Sequence, residues 1–159
     1  MSTTMSYSSP RHRTAAHGVA TLREWFGRFP MAILDLLLRI GVALVFWKSG
    51  MTKIANWDLT VALFAEEYQV PLLPPEVAAY LGTTVELVAP VLLVLGFGAR
   101  FGAAALLGMT FVIQVFVYPE NWSEHLLWAS ILIYVLTRGP GALSLDHVIA
   151  RRWFGHPAS

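Results

Sequence analysis

The sequence predicts an all-α membrane protein: a bundle of four transmembrane helices with an amphipathic interfacial helix between the first two spans. Hydrophobic residues make up 56% of the 159 residues and charged residues only 13%, against about 45–50% and about 25% in ordinary soluble domains. The apolar residues also gather into segments near the ~20 residues that a helix needs to cross ~30 Å of hydrocarbon. We therefore expect one membrane domain.

The absence of cysteine excludes several redox chemistries from this chain alone. With no Cys, it can form no disulfide framework, no Cys-ligated metal centre and no thiol relay. We expect no intrinsic cofactor, so any redox role would use a bound molecule or a partner. The net charge of +1 and the lack of a basic patch argue against a nucleic-acid partner.

The four predicted spans cover about 30–53, 77–98, 101–118 and 122–137. Residues 1–20 are rich in Ser and Thr and contain no apolar run, so we expect a disordered tail. The membrane domain is predicted over 21–152, followed by a short tail at 153–159.

Two segments between or within these spans are less apolar. Residues 56–70 alternate apolar side chains with acids, which predicts an amphipathic helix on the membrane surface. The prolines that follow at 71–75 predict an extended connector. The fourth span is short, so three spans plus a re-entrant segment is the alternative.

The distribution of Lys and Arg predicts the orientation. The arginines flank one side of the predicted spans, and most acids lie on the other. We expect both termini in the cytoplasm, and the amphipathic segment and the 119–125 loop outside. The arginines on the cytoplasmic side are Arg11, Arg13, Arg23, Arg28, Arg100, Arg138, Arg151 and Arg152.

The first span carries charges that need partners, because an unpaired charge inside a membrane is costly. Asp35, Arg39 and Lys53 fall on one helical stripe, whereas Lys48 points the opposite way and is expected at the interface. At 1.5 Å per residue, Arg39 lies ~13 Å from the inner end of its span and Glu86 ~14 Å from the outer end of the second span. These depths predict an Arg39–Glu86 ion pair with Asp35 one turn below.

These polar residues favour a ligand cavity over a purely structural ion pair. Glu86 is the candidate proton acceptor, and Pro90 leaves the carbonyl of that residue without its usual donor. Lys53 is placed at the mouth, where it could attract an anionic group or a quinone carbonyl. The predicted ligand-binding or buried polar residues are Asp35, Arg39, Gly50, Lys53, Glu86 and Gln114.

One cluster resembles metal ligands, namely Glu120, Glu124 and His125. Adjacent residues such as Glu124 and His125 point about 100° apart on a helix, whereas helical metal sites more often use ligands three or four residues apart. We therefore expect a solvated outer loop here and no metal.

Four segments in order resemble the DoxX family of small membrane proteins, including its DoxD-like relatives. They are RIGVALVFWKSGMTKI at 39–54, FAEEYQVP at 64–71, VELVAPVLLVLGFGARFGAAAL at 85–106 and GPGALSLD at 139–146. The resemblance implies that the family's polar positions are Arg39, Gly50, Lys53, Glu86 and Arg100, with Gly139, Gly141, Ser144 and Asp146 in the last motif.

The resemblance also implies a function associated with redox enzymes. The family's better understood members are membrane subunits that deliver electrons from sulfur compounds to quinone, or partners of enzymes in oxidative-stress defence. We therefore expect a quinone-like ligand between spans one and two, contact with the lipid bilayer, and an oxidoreductase partner or a second copy of the chain. The alternative is a non-catalytic scaffold or small carrier, and whether the protein is itself an enzyme stays open.

Overall fold

The computed structural model describes residues 30–154, apart from the side chain of Phe154, and within this range every regular element is helical. The predicted tail at 1–20 and the arginines before the first span lie outside the described residues. The six α-helices of the described part are α1 (Met31–Ala55), α2 (Trp57–Leu63), α3 (Pro75–Leu95), α4 (Ala99–Val112), α5 (Trp122–Arg138) and α6 (Leu145–Phe154).

Two helices continue into a π-helical turn. Phe64–Tyr68 extends α2 and Ile113–Val117 extends α4. Each closes with a hydrogen bond across five residues, from Gln69 N to Phe64 O at 3.2 Å and from Tyr118 N to Ile113 O at 2.8 Å. π-Helical turns are rare in proteins, and those that do occur are frequently found at functional sites.

Local sequence signals explain the helix ends. The side chain of Asn56 accepts from Leu59 N and caps the start of α2, and Pro75 occupies the first turn of α3, where its missing N–H costs little. Gly96 ends α3 in the left-handed conformation, at φ 65°. A Cβ at Gly96 would lie 2.5 Å from the guanidinium of Arg39, so this turn needs glycine for both its backbone and its space.

The four long helices form a ring in which each contacts its neighbours. Helix α1 packs on α3, α3 on α4, α4 on α5, and α5 returns to α1. Small side chains such as Ala43, Ala89 and Ala103 let the helices approach closely around Phe46 and Leu106. The outward faces expose large apolar side chains, among them Leu44, Val88, Phe111 and Leu126, as expected for helices in contact with lipid.

The all-helical class is confirmed, and each predicted span agrees with a helix to within a turn when α4 is taken together with its π-helical turn. Two helices, Pro75–Leu95 and Ala99–Val117, are long and apolar enough to cross a membrane by length and composition. Helix α1 is long enough, with 25 residues, but contains four charged residues. Helix α5 has 17 residues, which is shorter than the ~20 residues of a typical span. The four-span arrangement therefore stays a prediction.

Helix α6 was not predicted. The Ser144 hydroxyl accepts from His147 N at 3.2 Å, which is the geometry of an N-cap. The helix runs to Phe154 and so includes Trp153, which the sequence analysis assigned to the C-terminal tail.

Candidate functional site

Lys53 on α1 and Glu86 on α3 form a buried ion pair. The Lys53 ammonium lies 2.8 Å from Oε1 and 2.7 Å from Oε2 of Glu86, and Glu86 is 2% exposed. Ser49, one turn before Lys53 and on the same helix face, accepts from that ammonium at 2.9 Å and donates to Glu86 Oε1 at 3.1 Å. We call these three side chains the outer polar cluster.

Gly50 allows this close approach of α1 and α3. A Cβ at this position would lie 2.9 Å from Leu87 Cδ2 and 3.1 Å from Glu86 Cβ. The glycine thus sets the separation of the two helices beside the ion pair.

The predicted Arg39–Glu86 ion pair is wrong. The Arg39 guanidinium instead donates to the carbonyls of Leu93 at 2.9 Å and Val94 at 3.4 Å, and to that of Leu143. The depth estimate assumed that α1 and α3 end at the same level. The Arg39 guanidinium contacts Leu93, which lies close to the end of α3 and about two turns along that helix from Glu86. The start of α1 therefore extends beyond the end of α3.

Asp35 and Arg39 belong to a second group, the inner polar cluster, which also contains Tyr134 and Asp146. Tyr134 donates to Asp35 at 2.7 Å. The Asp146 carboxylate accepts from Gly98 N at 2.9 Å and Ala99 N at 3.3 Å, where it caps α4.

The 139–146 segment is held in place by this cluster. A Cβ at Gly141, which has φ 78°, would overlap the Asp35 carboxylate. Arg100 lies beside Gly139 and donates to Thr137 O at 3.5 Å. Arg39 is completely buried and bonded to backbone carbonyls of α3 and of the 139–146 segment. We therefore assign a structural role to the inner polar cluster, which is to fasten the 139–146 segment against the ends of α3 and α4.

A cavity of about 450 Å³ opens beside the outer polar cluster. It lies between the long helices, and Phe64 and Tyr68 of the π-helical turn after α2 line one side, which we call the cavity cover. Ser49, Lys53, Glu86 and His125 supply polar groups to its wall. Its apolar lining includes Phe46, Phe64, Tyr68, Met109, Ile113 and Trp128.

His125 and Gln114 form a buried pair on the other side of this cavity. His125 Nδ1 lies 2.6 Å from Gln114 Oε1, and Gln114 Nε2 donates to Pro119 O at 2.7 Å. His125 is only 4% exposed, so the predicted solvated loop is wrong for this residue, although Glu120 and Glu124 are exposed. Among residues 30–154, no three His or acidic residues come together as a metal site would require.

Tyr118 links the two π-helical turns at the edge of the cavity. Its hydroxyl donates to Glu67 at 2.8 Å, and its ring packs edge-on against Tyr68 with centroids 6.1 Å apart.

The predicted site residues therefore separate into three places. Lys53, Gly50 and Glu86 come together at the outer cluster, Asp35 and Arg39 lie in the inner cluster, and Gln114 supports His125. The sequence analysis missed Ser49 and did not place His125 in the cavity. A spacing could have indicated Ser49, which lies four residues before Lys53 and therefore shares its helix face. No comparable spacing indicated His125, which lies in the first turn of α5.

Comparison with known proteins gives two matches. The DoxX family model matches residues 34–119. An uncharacterized protein of Haemophilus influenzae is 29% identical over 131 residues, which cover 73% of this chain and 83% of that protein. No solved structure gives a significant match. The range matched by the family model contains Lys53, Glu86 and Gln114, and ends before His125.

Proposed function

Because the chain belongs to the DoxX family of membrane proteins, we propose that it is a redox-associated membrane protein that binds a quinone-like amphiphile in the cavity beside Glu86. The observation that carries this proposal is an apolar cavity of about 450 Å³ with a buried ion pair in its wall. Ligand sites combine these two features, a mostly apolar lining and a few fixed polar groups.

The lining fits the headgroup of such a ligand. A flat ring needs apolar and aromatic walls, which Phe46 and Trp128 supply as an edge-to-face pair with centroids 5.4 Å apart. Ring oxygens need hydrogen-bond donors, and Lys53 provides one by redirecting one of the three ammonium N–H groups that bond within the outer polar cluster. The volume falls within the roughly 300–1,000 Å³ typical of small-molecule sites.

Each residue of the outer polar cluster has a role in this proposal. Glu86 exchanges a proton with the ligand, and Lys53 holds the carboxylate and orients a ligand oxygen. A bound quinone supplies a two-electron, two-proton acceptor. With no Cys in the chain, the electrons come from a soluble or membrane oxidoreductase partner.

We also propose that α1, α3, α4 with its π-helical turn, and α5 are the four spans, in a bacterial inner membrane with both termini cytoplasmic. The charges on α1 are the main objection to a spanning role. Lys53 is paired with Glu86, Arg39 is bonded to backbone carbonyls, and Asp35 accepts from Tyr134. Internal pairing of this kind is what a charged residue in a span requires.

A cavity-filling variant tests the ligand site. Gly108 lines the cavity, and a Cβ there meets no atom within 4 Å, so Gly108→Leu adds a side chain without a clash at its first atom. We expect a soluble quinone analogue to bind the purified protein, as measured by calorimetric titration, and the variant to bind at least about tenfold more weakly. The matched control is Gly41→Leu, because Gly41 also has open space and does not line the cavity.

The second candidate function is a non-catalytic scaffold or small carrier. It is favoured by one observation: Lys53, Ser49 and Glu86 already satisfy one another, as a purely structural ion pair would. A protein that binds no quinone analogue but copurifies stoichiometrically with a soluble enzyme would support the scaffold. Solute uptake by reconstituted vesicles would support the carrier.

A further inference from the structure

The Gln114 amide determines which nitrogen of His125 carries a proton. Gln114 Nε2 lies 2.7 Å from the carbonyl of Pro119, and a carbonyl oxygen can only accept. The amide nitrogen therefore points at Pro119, and Oε1 points at His125. Since Oε1 is an acceptor, Nδ1 of His125 must be the donor across the 2.6 Å contact.

The other ring nitrogen of His125 remains open to a ligand. His125 lines the cavity, and among residues 30–154 its side chain makes its hydrogen bond through Nδ1, to Gln114, and none through Nε2. In the neutral ring, a proton on Nδ1 leaves a lone pair on Nε2. This nitrogen is therefore a free acceptor on a side chain that lines the cavity.

We infer that His125 is a specificity-determining residue that selects ligands bearing a hydroxyl group, which donates to Nε2. The inference rests on the proposed ligand cavity and adds the ligand class, namely a flat ring with an O–H such as a phenol or a quinol. The imidazole ring of His125 has a fixed position for this contact. Gln114 binds one edge of it, and Trp128 packs against it with ring centroids 5.1 Å apart.

The polar groups on the two sides of the cavity then differ in their hydrogen-bonding role. Lys53 supplies the donor on the α1 side, by redirecting one ammonium N–H from the outer polar cluster to the ligand, and His125 supplies an acceptor on the α5 side. A ligand with a carbonyl at one end of a ring and a hydroxyl at the other would satisfy both. His125 thereby discriminates between two molecules of the same shape that differ only in an O–H.

Two matched probes test this inference. The first is 2-naphthol, a flat ring with a hydroxyl, and the second is 2-methoxynaphthalene, in which the hydroxyl hydrogen is replaced by a methyl group. We expect the wild-type protein to bind 2-naphthol about fivefold or more tightly, since one hydrogen bond separates the two. His125→Leu should remove this preference while retaining binding of the methoxy compound, and His147→Leu, outside the cavity, should leave it unchanged.

A second measurement does not depend on any cavity variant. Nitrogen NMR of the wild-type protein with labelled histidine reports which ring nitrogen of each of the 5 His carries the proton. We expect the neutral ring of the buried His125 to carry its proton on Nδ1 and not on Nε2. Gln114→Met, which removes the amide, should shift this equilibrium and weaken the preference for 2-naphthol.

The outcomes separate the two proposals. Binding of neither probe overturns the ligand cavity and this inference with it. Binding of both probes with equal affinity, or a proton found on Nε2, overturns the role of His125 and leaves the cavity standing. A preference for 2-naphthol that survives in His125→Leu would assign the selectivity to another acceptor, and would equally overturn the inference.

Discussion

The ammonium group of Lys53 donates hydrogen bonds to both carboxylate oxygens of Glu86, at 2.8 and 2.7 Å. The side chains are 14% and 3% exposed, so the pair links α1 to α3 away from bulk water. Such a pair gains little over a well-packed apolar pair, but the loss of one partner leaves an uncompensated charge.

The first prediction concerns this coupling. Lys53→Met and Glu86→Met should each destabilise the protein by about 3 kcal/mol, because each leaves one charge without its partner. The double variant should recover most of that loss. The measurement is thermal unfolding in detergent followed by circular dichroism. Additive losses in the double variant would mean that the two side chains act independently.

The second prediction concerns Arg39. Arg39→Gln should lower the free energy of unfolding by about 3 kcal/mol, because a shorter amide cannot reach the carbonyls of both Leu93 and Leu143 and leaves buried acceptors unpaired. Lys48→Gln is the control, since Lys48 is exposed on the same helix and should change stability by no more than about 0.5 kcal/mol. Equal stability of the two variants would remove the fastening role of the inner cluster.

The third prediction concerns the cover of the cavity. Tyr118→Phe removes the hydrogen bond to Glu67 but keeps the ring against Tyr68. We expect faster amide hydrogen exchange over 64–70, because the link between the two π-helical turns is weakened, with no change in α1. Unchanged exchange in 64–70 would show that the Tyr118 hydroxyl does not hold the cover.

The fourth prediction concerns orientation. Because the natural chain has no Cys, single introduced cysteines report accessibility without a background. Glu66→Cys, beside the cavity cover, should react with a membrane-impermeant maleimide on intact cells. Ala142→Cys, in the 139–146 segment, should react only after permeabilisation. The reverse pattern would invert the proposed topology, and labelling of both from outside would contradict it.

The positions of the helices followed from the sequence, whereas their relative register did not. Runs of apolar residues near the length of a membrane span are a local property, and α1, α3 and α4 lie close to where those runs predict. The partner of Glu86 depends on how far α1 slides along α3. That offset is set by Gly50 against Leu87 and by Arg39 against Leu93, which are contacts between distant residues.

Within the candidate site, the same distinction separates what could be predicted from what could not. The stripe on α1 identified Lys53 and Gly50, since residues three and four apart share a helix face. His125 could not be assigned in this way because it lies at a helix start, next to an exposed glutamate. Only the packing of α5 against the end of α4 buries it beside Gln114.

The central claim is that the cavity beside Glu86 holds a quinone-like ligand, and photolabelling tests it most directly. A quinone analogue with an azide on its ring would be bound to the protein in nanodiscs, photolysed, and mapped by mass spectrometry. We predict labelling within 64–68 and 125–128, displaced by excess unlabelled quinone analogue and reduced in Gly108→Leu but not in Gly41→Leu. Labelling confined to lipid-facing residues such as Leu44 and Phe111, without displacement, would contradict the claim.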